Sequence, residues 1–175
     1  MKGPLKKKTK KYYGLGISLL VFVIVFLAFS ERIASVSLDY ISAIYASLLA
    51  TLVNNDRSRE NLSELRVNPT LVLAAQMKAS DMAARGYFSH NTPEGLTPWY
   101  WFARAHYNYS YAGENLAVNF VDSADVESAW MASPLHRLNI LNRNFTEIGI
   151  ATSTGVYQGR HAIFIVQMFG RPVAD

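Results

Sequence analysis

Apolar side chains recur along this chain in three rhythms, and each predicts a different kind of element. From Gly14 to Ser30 the run GLGISLLVFVIVFLAFS carries seventeen residues without a charge. At about 1.5 Å per residue it spans roughly 25 Å, a little under the ~30 Å hydrocarbon core of a bilayer. Tyr12 and Tyr13 extend it as an interfacial belt. A second apolar stretch, Tyr40 to Val53, is too short to span. Its Ile41, Ile44/Tyr45, Leu48/Leu49 and Leu52/Val53 repeat at helical spacing. That predicts an amphipathic core helix continuing into the charged stretch Asp56–Glu64.

Beyond it, Asn68-Pro69 reads as an N-cap with proline in the first turn. The helix carries Val72, Ala75, Ala79 and Met82 on one face and stops near Gly86. Tyr87 to Ala112 reads as irregular, with one short helix opened by Thr97-Pro98 and filled by Trp99, Tyr100, Trp101 and Phe102. Glu114–Phe120 resembles a strand. Asp122/Ser123 caps a helix through Met131, and Ser133-Pro134 starts another that ends near Leu141. The third rhythm is alternation: Glu147–Thr152, a turn at Thr154-Gly155, then His161–Phe169 read as a hairpin. Helices first and strands last predict an α+β fold of mixed layers, not a doubly wound sheet. No Gly-rich phosphate loop and no internal repeat occur.

Charge orients the first segment. Lys2, Lys6, Lys7, Lys8, Lys10 and Lys11 precede it, and no acidic residue occurs before Glu31. The positive-inside bias therefore keeps the N-terminus in the cytoplasm and exports everything after Ser30. Ala28 and Ser30 form a weak small-x-small site for a cleaved signal peptide, the competing reading. A retained anchor is preferred because the apolar run is longer than a signal core. The expected organisation is a cytoplasmic tail (1–13), a transmembrane helix (14–30), a juxtamembrane segment (31–47) and a domain (48–171). Although the whole chain carries +4, the part after Ser30 has ten Arg and one Lys against thirteen acids, a balance of −2. A nucleic-acid partner is not expected. The chain has no cysteine, which excludes disulfides, thiolate metal sites and cysteine nucleophiles.

Few groups remain for chemistry. His90 lies just past the Gly86 helix end, His136 on the first turns of a short helix, and Glu114 at the mouth of a strand; His106 and His161 have no such setting. Ser133 and His136 at i, i+3 could place a hydroxyl near an imidazole, while Ser133 also serves as an N-cap before Pro134. The aromatics Trp99–Phe102, Tyr107, Tyr109 and Tyr111 read as core and cleft wall, or as a platform for an apolar or sugar-like ligand. Three Asn-x-Ser/Thr triplets, at Asn61, Asn108 and Asn144, are read as chance, with Asn144 a turn residue.

Six strings occur in order: Asp81-Met82-Ala83; Tyr87-Phe88-Ser89-His90; Gly113-Glu114-Asn115-Leu116-Ala117; Ala129-Trp130-Met131-Ala132-Ser133-Pro134; His136-Arg137-Leu138-Asn139-Ile140-Leu141; and Phe145-Thr146-Glu147-Ile148-Gly149-Ile150. Together they resemble the bacterial form of the CAP superfamily, the SCP or cysteine-rich-secretory/antigen-5/pathogenesis-related domain, from about Leu48 to Arg171. The resemblance implies a three-layer α-β-α sandwich with a cleft holding two histidines and two acids. By motif these are His90, Glu114 and His136, while the second acid's place is Ser133. Glu127, three residues before Trp130, is a weaker substitute.

The resemblance further implies divalent metal, zinc or another, at His90 and His136, with Glu114 a possible third ligand. It leaves a structural hydrogen-bonded cluster and catalysis as alternatives. The expected function is a membrane-anchored extracytoplasmic domain binding a lipid, envelope component, secreted ligand or metal. A peptide- or envelope-directed hydrolase with His136 as base ranks below it, as does a spacer with a vestigial cleft. The oligomeric state is not legible.

Overall fold

The computed structural model describes residues 6–174, with side chains described for 17–27, 30 and 45–174. Contacts divide the chain into two compact units, Met1–Ile41 and Ser42–Asp175. Helix α1 runs Lys6–Arg59. Within the first unit Phe22 and Phe26 stack at 6.5 Å. Among the described residues no helix is long and apolar enough to cross a membrane. The expected span Gly14–Ser30 includes 14–16, 28 and 29, whose side chains lie outside the described residues, as do Tyr12, Tyr13 and the lysine tail.

The second unit contains the sheet. After α1 come β1 (Arg66–Val67), α2 (Pro69–Arg85), α3 (Trp99–Arg104), β2 (Tyr109–Val118), α4 (Ser123–Ala132), α5 (Pro134–Ile140), β3 (Glu147–Tyr157) and β4 (Arg160–Pro172). The strand order is β1-β3-β4-β2, with β1 parallel to β3 and the other pairs antiparallel. Strand alternation sends neighbouring side chains to opposite faces. On one face Leu116, Ala151, Phe164, Val166 and Met168 pack with Leu71, Ala75, Ala79 and Met82 of α2 and Phe102 of α3. On the other, Ala117, Ile148, Ile150, Ile165 and Phe169 pack with Leu49 and Val53 of α1, Val126 and Trp130 of α4 and Ile140 of α5. Helices therefore cover both faces of a four-stranded sheet.

Local signals account for most boundaries. The Asn68 side chain accepts from the backbone N–H of Thr70 and Leu71, Pro69 opens α2, and Gly86 closes it with φ +67°. Asp122 caps α4 through Ala124 N–H. As expected, α1 continues into the charged stretch; it stops at Arg59 because Asn61 turns left-handed (φ 57°). Leu62 N–H then reaches Arg57 O and Asn61 N–H reaches Ser58 O, a Schellman end. Three expectations are corrected. First, β2 begins at Tyr109, inside the stretch read as irregular. Second, the hairpin turns at Gln158-Gly159, both at positive φ as a two-residue hairpin loop requires. Third, Val72 is only half-buried, and the buried face of α2 includes Lys78.

Candidate functional site

β2 is an edge strand, so both layers of helices reach around it at one place. Glu114 shares a face with Leu116, toward α2, while Asn115 shares one with Ala117, toward α5. These two adjacent residues gather one histidine segment each. His90 arrives from the loop after α2, and its Nδ1 lies 2.6 Å from Glu114 Oε1. When Glu114 is ionised its oxygen can only accept, so the ring then carries its proton on Nδ1 and keeps Nε2 as an acceptor. The Glu114 side chain is 2% exposed and that of His90 55%. Burial pushes the Glu114 carboxyl up from its ordinary value, with the His90 bond and the Lys78 charge opposing. Its second oxygen, Oε2, is buried and has no hydrogen-bond partner.

Behind this pair stands Lys78, fully buried on α2. Its Nζ donates to Ser89 O and His90 O, both at 2.8 Å, and to Tyr87 Oη at 3.3 Å. Tyr87 Oη in turn donates to Asp81 at 2.6 Å. Burial pushes the Lys78 ammonium down, with Glu114 and Asp81 opposing. The lysine therefore fixes the backbone that presents His90. Replacing Lys78 with Met removes those donors and also a costly buried charge, so global stability falls by about 1–3 kcal/mol, less than the sum of the lost bonds. Hydrogen exchange over Tyr87–His90 also rises in that variant. Unchanged protection there would remove Lys78 from the site.

His136 is held from the opposite face. Asn115 Nδ2 donates to His136 O at 3.2 Å and to Gln167 Oε1 at 2.9 Å. Asn139, one turn along α5, donates to Glu114 O (3.1 Å) and Asn115 Oδ1 (2.9 Å). This bond also covers a carbonyl of the strand. Burial first, and the His90 ring second, lower the proton affinity of His136. The two imidazoles are thus electrostatic neighbours, each mounted on its own layer.

The remaining candidates fall elsewhere. Ser133 holds the N-cap position of α5, but its side chain makes no capping bond there. Glu127 is buried on α4 and faces Asp56 of α1, not the histidines. Of the aromatics, Trp101, Phe102 and Tyr107 belong to the core, whereas Trp99, Tyr100 and Tyr111 remain exposed. Among the described residues no three His, Asp or Glu side chains converge as a metal cage. Lys78, Asn115, Asn139 and Gln167 were not singled out from sequence. Only Lys78 left a signal, a lysine at a position the apolar period of α2 places inside.

The family model of the cysteine-rich secretory proteins, CAP, matches residues 50–169. The Bacillus subtilis protein YkwD is 37% identical over 106 residues, 61% of this chain and 41% of that one. The Bacillus subtilis membrane protein YlbC is 28% identical over 106 residues, 61% of this chain and 31% of its own. The chain thus spans less than half the length of either relative. An extracellular SCP-domain protein of Bacillus anthracis superposes with a TM-score of 0.65 at 32% identity, covering 75% of this chain and 41% of that one. An outer surface protein of Borrelia burgdorferi shares the fold at a TM-score of 0.63 and 24% identity, covering 73% and 92%.

Proposed function

Because this chain belongs to the cysteine-rich secretory protein (CAP) family, we propose that it presents a divalent-cation and ligand site outside the membrane. In this reading Gly14–Ser30 anchors it with the lysine tail in the cytoplasm, and the site meets an envelope lipid, wall component or secreted ligand. The observation that carries the reading is the 2.6 Å bond from His90 Nδ1 to a buried Glu114 whose other oxygen has no partner. A carboxylate behind a ring nitrogen orients the imidazole and strengthens the opposite nitrogen as a donor to metal.

The donor set suits a cation shared by His90 Nε2 and His136. Glu114 then supports the ring instead of serving as a third ligand. Remaining positions go to water or to the ligand, for which a bound cation supplies a Lewis-acid contact. His136 suits this role because burial, and the His90 ring after it, lower its proton affinity and so favour the neutral imidazole that binds metal.

Zinc titration of the full chain in detergent tests the reading. One zinc per chain is expected, with affinity lowered at least about tenfold by His90→Ala or His136→Ala. Glu114→Gln weakens it about 10- to 100-fold, the range of an orienting partner. Zinc affinity unchanged in all three variants would refute the site.

A further inference from the structure

α1 and α4 pack through Leu49, Val53, Val126 and Trp130. Two acids enter this apolar contact: Asp56, one turn beyond Val53, and Glu127, next to Val126. Glu127 is 4% exposed, and neither of its carboxyl oxygens has a hydrogen-bond donor. The charged group acting on it is Asp56, of like sign. Among the described residues no ion pair brings a cation to Glu127 itself. Arg59 Nη1 binds Asp56 at 2.6 Å from a side chain that is 77% exposed. The buried Arg57 donates to Ser63, Ile140 and Asn142 carbonyls. Tyr45, farther up α1, faces Asp122 and Asp125 instead.

A buried carboxylate that has no donor and faces a second carboxylate is driven toward its protonated form. We propose that Glu127 keeps a proton at neutral pH and donates it to Asp56, so that one proton clasps α1 to α4 and is lost on alkalinisation. Burial first, and Asp56 second, push Glu127 up from 4.5 to about 8. The folded chain thus holds a proton that the unfolded chain has released above 4.5. The clasp's contribution is complete below that value and is lost as pH rises toward about 8. This inference is independent of the histidine site.

The test uses the full chain in detergent, with denaturation midpoints from pH 5 to 8.5 and carboxyl-carbon NMR of Glu127. Glu127→Gln keeps a donor for Asp56 at every pH. It should match the wild type near pH 5 and exceed it at pH 8. Across the window the wild-type folding constant falls relative to the variant by up to about tenfold per pH unit. Histidines titrate alike in both proteins and cancel. Should Glu127→Gln not fold, Asp56→Asn serves: Glu127 then titrates at lower pH than in the wild type. Parallel pH curves, or a wild-type Glu127 titrating near pH 4 to 5, would overturn the proposal.

Discussion

Gly149→Val abolishes cooperative folding of the domain, and even Gly149→Ala costs about 3 kcal/mol, at the upper end of ordinary overpacking. A Cβ at 149 would lie 2.2 Å from the Leu71 carbonyl carbon and 2.3 Å from Val72 N. Both are backbone atoms, so relief requires α2 itself to move. At the other end of the strand, a Cβ at Gly155 would sit 2.4 Å from Ala83 O. Six strand residues, roughly 20 Å, thus match twelve helical ones, roughly 18 Å: α2 lies along β3 throughout. Ala151 and Ser153 complete a small-residue track between the two glycines. Moving α2 also shifts Lys78 and the His90 loop, so the proposed zinc site is expected to weaken together with stability. Thermal melts of the two variants check this; a Gly149→Ala melt like the wild type's would contradict the close approach.

Arg57→Met lowers stability by about 3 kcal/mol. Arg57 is 1% exposed. It donates from Nε to Ser63 O (2.9 Å) and from Nη1 to Ile140 O (2.8 Å) and Asn142 O (2.9 Å). It joins the last turn of α1, the loop beyond it and the carbonyl end of α5. Each bond from a charged donor contributes about 1.5–3 kcal/mol, partly offset by the cost of burying the charge. Burial indeed pushes the guanidinium's proton affinity down. Methionine fills the volume and leaves three carbonyls without their donor. Arg57→Lys recovers only part, since one ammonium cannot reproduce the planar fork. Urea unfolding with an unchanged slope reads the loss, and a midpoint within error of wild type would exclude the clamp.

Much of the fold was legible because its signals are local. Asn68-Pro69, Gly86 and Asp122 bound their helices through bonds made within a few residues. Gly155 misled for a physical reason: a glycine in an alternating run reads as a turn, but here it admits a helix. The true turn, Gln158-Gly159, asks Gln158 to adopt φ 51°, which its residue type does not advertise. Ser133 stands where a cap is expected yet makes no capping bond. His90 and Glu114 are 24 residues apart, and no spacing rule links them. The family resemblance paired them; the edge position of β2 is what brings them together. Glu127 shows the converse, since its helix position is compatible with a cleft acid, yet the packing turns it to Asp56.

Imidazole nitrogen NMR of the full chain, with and without zinc, tests the site most directly. Glu114 at Nδ1 predicts that His90 holds its proton on that atom, and that zinc shifts Nε2 of His90 together with a ring nitrogen of His136. A proton found on His90 Nε2, or a response to zinc confined to one ring, would contradict it.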